Sequence, residues 1–371
     1  MSRCPACGTS YPDDARFCTR DGSKLLAPST PGAGAATSPP RVEQPVRPPF
    51  SLPTPARGTQ AGRADPPPPV THTKLIGSIL DGRYQVERKI GEGGMSFVYL
   101  AHDISSKEHY AIKVLSAALS RDQNAMARLK REASLGMRLE HPNICHIIRL
   151  GETQDGLVYV VMPFVKGEIL SDRNNRMGVL PLSDVVSFVN DMATGLHVAH
   201  ELKIVHRDLK PENIMISANA EGVERAVVMD FGLAKERRAD AELQKLTATG
   251  IILGTPEFMS PEQLRGKPLD PRTDVYSLTL MTYEMLTGKL PFSGRTQQEM
   301  MISRLRSEPT PVRLARPDLV FTEGVERVLL KGMSRDPEHR YSSAPAFSAA
   351  LAAAASGKGP DSGVFGRFFG R

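Results

Sequence analysis

The 371-residue chain is 40% hydrophobic and 24% charged, enough apolar material for one two-lobed domain or two ordinary ones. Its 47 basic and 41 acidic residues leave a formal charge of +6, a mild excess spread along the chain that by charge alone argues against nucleic acid as partner. No apolar run approaches the ~18 residues that read as a membrane span. The N-terminus carries cysteines and aspartates where a secretory signal would be apolar, so the expectation is a cytoplasmic protein.

Residues 1–26 form a small Cys-bearing knob. Cys4-Pro5-Ala6-Cys7-Gly8 has the spacing of a zinc knuckle, in which the turn lets two thiolates converge on one tetrahedral ion. Phe17-Cys18-Thr19-Arg20-Asp21-Gly22 supplies a partial second knuckle, with Asp21 where a fourth Cys is expected. The expectation is a Zn²⁺ site of Cys4, Cys7, Cys18 and Asp21; the alternative is a degenerate ribbon that binds metal weakly or borrows a ligand. Cys145 stands alone downstream, so two disulfides are not the reading. Residues 27–75 carry thirteen of the chain's 30 prolines and few apolar residues, the composition of a disordered linker. As a mixed coil it spans on the order of 40 Å root-mean-square.

From residue 80 to about 352 the pattern is globular, followed by a flexible tail over 353–371. Tyr84–Glu87, Phe97–Leu100 and Tyr110–Leu115 read as strands, and Leu157–Phe164 as another. Residues 122–139 bring Met126, Leu129, Ala133 and Leu139 round at helical spacings. Helices then dominate, over 183–200, 274–287 and 323–334, with short strands at Ile214–Ile216 and Val227–Met229. The fold class is α+β, a β-rich first lobe followed by a larger helical one.

Three stretches carry chemistry. Ile90-Gly91-Glu92-Gly93-Gly94-Met95-Ser96-Phe97-Val98 is a strand, turn and strand whose glycines let backbone amides approach phosphate oxygens, although such a turn is by itself commonly just a hairpin. Lys113 follows one strand later, and Glu132 lies on the next helix as its counter-charge. His206-Arg207-Asp208-Leu209-Lys210-Pro211-Glu212-Asn213, with Asp230-Phe231-Gly232 shortly after, concentrates a base, a cation and oxygen ligands that a buried core has no use for. Taken alone, Asp208 could be a turn aspartate capping backbone amides.

In this order the stretches resemble a eukaryotic-type serine/threonine protein kinase, in its bacterial branch, from about Tyr84 to Leu351. Ser260-Pro261-Glu262, Asp274 and the Lys210-Pro211-Glu212-Asn213 spelling carry the same resemblance. It implies a two-lobed kinase fold, with Asp208, Lys210, Lys113 and Glu132 as the catalytic set. ATP would lie against Ile90, Gly91, Glu92, Gly93, Gly94, Ser96, Val98, Ala111, Lys113, Met162, Val165 and Met215, and Asn213 and Asp230 would hold Mg²⁺ or Mn²⁺. Ser96 stands where such loops carry glycine, and Pro163 where the hinge is usually acidic; proline keeps its carbonyl for adenine but lacks an N–H.

Arg207 beside Asp208 implies regulation by phosphate on the following segment, with Thr247 and Thr249 as acceptors and Thr255 as the threonine that selects Ser/Thr substrates. Protein substrates are the implied partners, with pairing of two copies for trans-autophosphorylation. Glu168 and Glu212 hint at basic residues near the acceptor. The resemblance also pairs Glu262 with Arg340 and sets Asp274 under the catalytic loop. A pseudokinase scaffold would commonly have lost Lys113, Asp208, Asn213 or Asp230, and all four are present. A nucleic-acid module led by the cysteines finds thin support in Tyr11, Arg16, Phe17 and Arg20.

Overall fold

The computed structural model describes residues 2–3, 10–11, 75–93, 96–116, 120, 123–153, 156–231 and 256–357. The chain divides into two compact units, Met1–Pro66 and Pro67–Arg371. In the first, strands β1 (Ser2–Arg3) and β2 (Ser10–Tyr11) pair antiparallel. The proposed zinc ligands Cys4, Cys7, Cys18 and Asp21 lie outside the described residues, as do the linker and the tail beyond residue 357.

The second unit opens with an antiparallel sheet. Its strands are β3 (Ile79–Leu80), β4 (Tyr84–Gly93), β5 (Ser96–Asp103), β6 (His109–Leu115), β7 (Arg149–Glu152) and β8 (Val158–Pro163), in the spatial order β3-β4-β5-β6-β8-β7. Side chains alternate between faces, so strand parity decides what each residue meets. On one face Ile112 and Val114 join Tyr84, Tyr99, Tyr159 and Val161 in a sealed cluster. On the other, Ala111 and Leu115 pack with Met126, Leu129 and Ala133 of helix α1 (Gln123–Gly136). Lys113 falls on this second face, opposite Val98 on one side and Val160 on the other.

After β8, strand β9 (Glu168–Ile169) leads into α2 (Leu170–Met177) and α3 (Leu182–Glu201). Strands β10 (Ile214–Ala218) and β11 (Glu224–Val228) form a hairpin whose edge pairs with β9. That pairing brings the exit of the hinge against the hairpin so closely that a Cβ on Gly167 would lie 2.1 Å from the Ile216 carbonyl oxygen. An isolated parallel bridge, Ile144 to Val228, joins the loop before β7 to the same hairpin.

The helical lobe continues with α4 (Pro261–Leu264), α5 (Arg272–Thr287), α6 (Gln297–Arg306), α7 (Val312–Ala315), α8 (Glu323–Gly332) and α9 (Ala344–Ala355). Helix α5 is buried around most of its circumference and forms the axle of the largest core cluster, packed by α3, α8 and α9. Three of its hydroxyls are satisfied within the helix: Thr279, Thr282 and Thr287 donate to carbonyls four residues back at 2.7, 2.7 and 2.8 Å. Thr279 fits because Gly332 faces it; a Cβ there would stand 2.3 Å from the threonine hydroxyl. Hydroxyls at Ser260, Thr296, Thr322 and Ser343 cap four of these helices. Among the described residues no helix is long and apolar enough to cross a membrane.

Candidate active site

The loop between α3 and β10 holds most of the chemistry, and a buried carboxylate shapes it. Asp274, on the first turn of α5 and fully buried, accepts from the His206 amide at 2.8 Å through Oδ2 and from the Arg207 amide at 3.0 Å through Oδ1. Oδ2 also meets His200 Nε2 at 2.8 Å. Burial pushes the Asp274 carboxyl up, but these contacts outweigh it and hold the group below its ordinary value. The Arg207 peptide is gripped at its other end too, where Gln263 Nε2 donates to its carbonyl at 2.7 Å. That grip is needed, because Arg207 sits at φ +64°, a left-handed conformation costing an L-residue ~1–2 kcal/mol.

Asp208 follows directly. Its backbone carbonyl and Oδ2 both accept from Asn213 Nδ2, at 2.7 and 3.0 Å. Since the amide nitrogen is spent on Asp208, the carbonyl oxygen of Asn213 is the end left for a hard cation. Lys210 Nζ stands 3.9 Å from Asp208 Oδ2. The 3₁₀ turn Pro211–Asn213 then hands the chain into β10.

Asp230 comes off the end of β11, also left-handed at φ +54°. The Met229 carbonyl beside it contacts His206 Nε2 at 2.8 Å, and the His206 ring meets Phe231 edge to face at 4.8 Å. Thus the two motifs, read as separate strings, are one packed object. Lys113 Nζ lies 2.7 Å from Asp230 Oδ2. Glu132 belongs to α1, but its side chain lies outside the described residues, as do Gly94, Gly232, Thr247, Thr249 and Thr255.

Above the loop, Ala111 and Met162 are buried and paired in register across β6 and β8. Ile90, Val98, Val165 and Met215 pack partly buried around the same cluster, leaving an apolar surface next to Lys113, which is in register with Val98. Gly91, Glu92 and Gly93 run along the open end of β4, opposite Val98, Phe97 and Ser96. Cys145 donates weakly to the Pro163 carbonyl, Sγ to O 3.6 Å, and burial pushes its thiol up to about 12, so it is not a nucleophile.

Partly buried apolar side chains, a lysine beside them, and oxygen donors on Asn213 and Asp230 fit a nucleoside triphosphate with Mg²⁺, a hard cation that takes few protein ligands and leaves the rest to phosphate and water.

Several contributors are hard to see in the sequence. His200 and Gln263 buttress the loop through backbone atoms. Arg304 is buried on α6 and donates to the carbonyls of Met259 and Glu257 at 3.1 and 2.5 Å, anchoring the end of the segment that follows Asp230. The expected pair of Glu262 with Arg340 forms, bidentate with both contacts 2.7 Å, and Thr273, which the sequence did not single out, donates to Glu262 Oε1 at 2.8 Å.

Glu168 corrects one expectation. Its carboxylate is occupied by Arg176 and Arg173, the latter also forked onto Glu224, and Arg176 first and Arg173 second pull its pKa down to about 2. It is not an open lure for a basic substrate residue. Glu212 remains exposed.

Residues 84–351 match the protein kinase domain family. The chain is 37% identical over 280 residues to serine/threonine-protein kinase pkn3 of Myxococcus xanthus, covering 76% of this chain and 51% of that protein. It is 38% identical over 285 residues to serine/threonine-protein kinase PknB of Mycobacterium leprae, covering 76% and 44%, and 36% identical over 270 residues to PrkC of Bacillus subtilis, covering 73% and 40%. The crystal structure of the Mycobacterium tuberculosis PknI kinase domain aligns with a TM-score of 0.58 at 27% identity, covering 75% of this chain and 98% of that one. The chain spans about half or less of the length of these curated relatives. With its β-sheet lobe, its helical lobe and the loop held between them by Asp274, the chain belongs to the protein kinase family, in the company of bacterial serine/threonine-protein kinases.

Proposed function

We propose that the chain transfers the γ-phosphoryl group of ATP to serine and threonine hydroxyls of proteins. The observation that carries the reading is that Asp208, Lys210 and Asn213 share one loop, whose Asn213 backbone carbonyl accepts from the Met229 amide at 2.8 Å, next to the Asp230 that pairs with Lys113. Bound Mg²⁺·ATP supplies the phosphoryl group and the charge neutralisation of its oxygens.

Asp208 orients the substrate hydroxyl and takes its proton as the new oxygen-phosphorus bond forms and the bond to the β-phosphate oxygen breaks. Lys210 balances charge gathering on the transferred group. Asn213 holds Asp208 with its amide nitrogen, its side-chain oxygen and Asp230 would hold the metal, and Lys113 would steady the non-reacting phosphates. Thr255 is assigned to Ser/Thr selection, and phosphate on Thr247 or Thr249, placed in trans by a second copy and received by Arg207, to activation. The matches to serine/threonine-protein kinases support the substrate class.

The test is transfer of labelled phosphate from ATP to the chain itself and to a general protein acceptor, with Mg²⁺. Asp208→Asn should lower the rate by ~10²–10⁴-fold, the range for losing a positioned proton acceptor, while nucleotide still binds. Equal rates in both proteins would remove the assignment.

A further inference from the structure

On the helical lobe, a cleft of about 440 Å³ opens between the linker after α4 and the turn after α8. Its rim is Arg265, Lys267 and Pro268 on one side and Arg335, Asp336 and Pro337 on the other, with Glu262 at the floor. The size falls within the range of small-ligand sites.

The charges do not cancel. Glu262 is consumed by Arg340 through both oxygens, whereas Asp336 accepts from the Glu338 amide at 3.0 Å and keeps its charge, one acid at a rim that carries three cations. Of the cations, Arg335 is shared with Glu308. Among the described residues, the exposed Arg265 reaches only the Leu305 carbonyl, at the 3.5 Å limit of a hydrogen bond, and the exposed Lys267 has no ion pair. The cleft therefore presents two uncommitted cations and a third held by one exposed acid. An anion is its complement. A guanidinium fork at Arg265 beside the Lys267 ammonium favours a tetrahedral dianion over a lone carboxylate, because the fork can engage two of its oxygens while the ammonium meets a third.

The chain's own flanking segments do not complement it. Residues 27–75 carry five Lys or Arg against two Asp or Glu, and residues 358–371 three against one. Residues 232–255 carry four Lys or Arg against three Asp or Glu, so none of these unmodified segments supplies the anion.

We propose that this cleft is a docking site for a phosphorylated serine or threonine on a protein partner. The Lys267 amide donates to the Glu262 carbonyl at 3.0 Å, so an occupant drawn onto Lys267 pulls on the stretch that ends the segment after Asp230. The site does not use Asp208 or Lys113, and its test is independent of catalysis.

The experiment is fluorescence anisotropy of a labelled alanine-glycine peptide carrying one phosphothreonine, titrated with the full chain in the absence of nucleotide. Binding should exceed that of the threonine and glutamate versions at least tenfold and weaken as salt rises. Arg265→Glu with Lys267→Glu should weaken it at least tenfold with an unchanged melting temperature. Glu308→Ala releases Arg335 and should tighten binding at least twofold, a gain that misfolding cannot mimic. Equal affinity for phosphorylated and plain peptide, or no gain in Glu308→Ala, overturns the proposal. Displacement of the peptide by a single-stranded oligonucleotide at lower concentration than by unlabelled phosphopeptide also overturns it, in favour of a nucleic-acid surface.

Discussion

Lys113 and Asp230, 117 positions apart, meet at 2.7 Å. This contact ties the sheet to the end of β11, and both residues are assigned elsewhere in the reaction: the lysine to phosphate oxygens, the aspartate to Mg²⁺. The cation on Asp230 would neutralise the carboxylate and release the ammonium toward the phosphates. Lys113→Met should therefore weaken Mg²⁺·ATP by roughly 10- to 150-fold, the ~1.5–3 kcal/mol of a hydrogen bond to a charged group. Asp230→Asn keeps a residue type that tolerates φ +54°, so it should abolish turnover while its melting temperature stays near that of the parent. Titration with a fluorescent nucleotide, with and without Mg²⁺, measures the first, and phosphate transfer beside thermal melting the second; an unchanged affinity in Lys113→Met would exclude the lysine from phosphate binding.

Asp274 has two oxygens and three donors: the His206 and Arg207 amides and His200 Nε2. In Asp274→Asn one oxygen is replaced by an NH₂ that cannot accept, so at least one buried donor is orphaned at a cost of about 1–3 kcal/mol. Because Arg207 is held left-handed by this grip, the loop should relax and misplace Asp208. The expected result is a loss of at least tenfold in kcat with a smaller change in nucleotide affinity. A variant equally active and equally stable would show that the loop needs no such support.

The Glu262–Arg340 pair supports stability rather than chemistry. Both side chains are nearly sealed, the arginine at 0% and the glutamate at 7% exposure, so removing one partner strands a buried charge. Arg340→Met should cost about 3–5 kcal/mol. Burial acts to raise the Glu262 carboxyl, but Arg340 outweighs it and the folded pKa lies below the ordinary value. Folded stability from this group is thus complete above the unfolded carboxylate range and drains away as pH falls through the lower folded value. Urea midpoints from about pH 6 to about pH 3 should fall more steeply in the parent than in Arg340→Met; parallel curves would count against the pair.

The sequence made the strands of the first lobe and the long helices readable, because apolar periodicity and burial coincide there: Ile112 and Val114 face one cluster, Ala111 and Leu115 the other. The loop from His206 to Asn213 was readable as chemistry because its polar residues have no use in a core. Its support was only partly readable. Asp274 and the Glu262–Arg340 pair were expected from the resemblance alone, while His200, Gln263 and Arg304 act through backbone atoms brought near by folding, which no spacing rule encodes. Glu168 misled for a related reason. Its charge is visible in sequence, but its neutralisation by Arg173 and Arg176 depends on the turn of α2 placing both beside β9.

Glu284 gives the last prediction, and its sign is opposite to that of Glu262. It lies on α5, largely buried, and accepts from Asn174 Nδ2 at 3.1 Å. Burial foremost, with Glu212 and Glu257 adding repulsion, pushes its carboxyl up to about 7, against the modest pull of Asn174. A folded pKa above the unfolded one means the folded state holds the proton more tightly. Stability contributed by the neutral carboxyl is present below about pH 4.5 and is lost as pH climbs toward about 7, beyond which the loss is complete. Glu284→Gln, a neutral group of the same shape, removes that dependence. Its melting temperature should match the parent's near pH 5 and exceed it near pH 8, with the gap opening between these values. A gap of constant size across that range would mean that Glu284 does not titrate there.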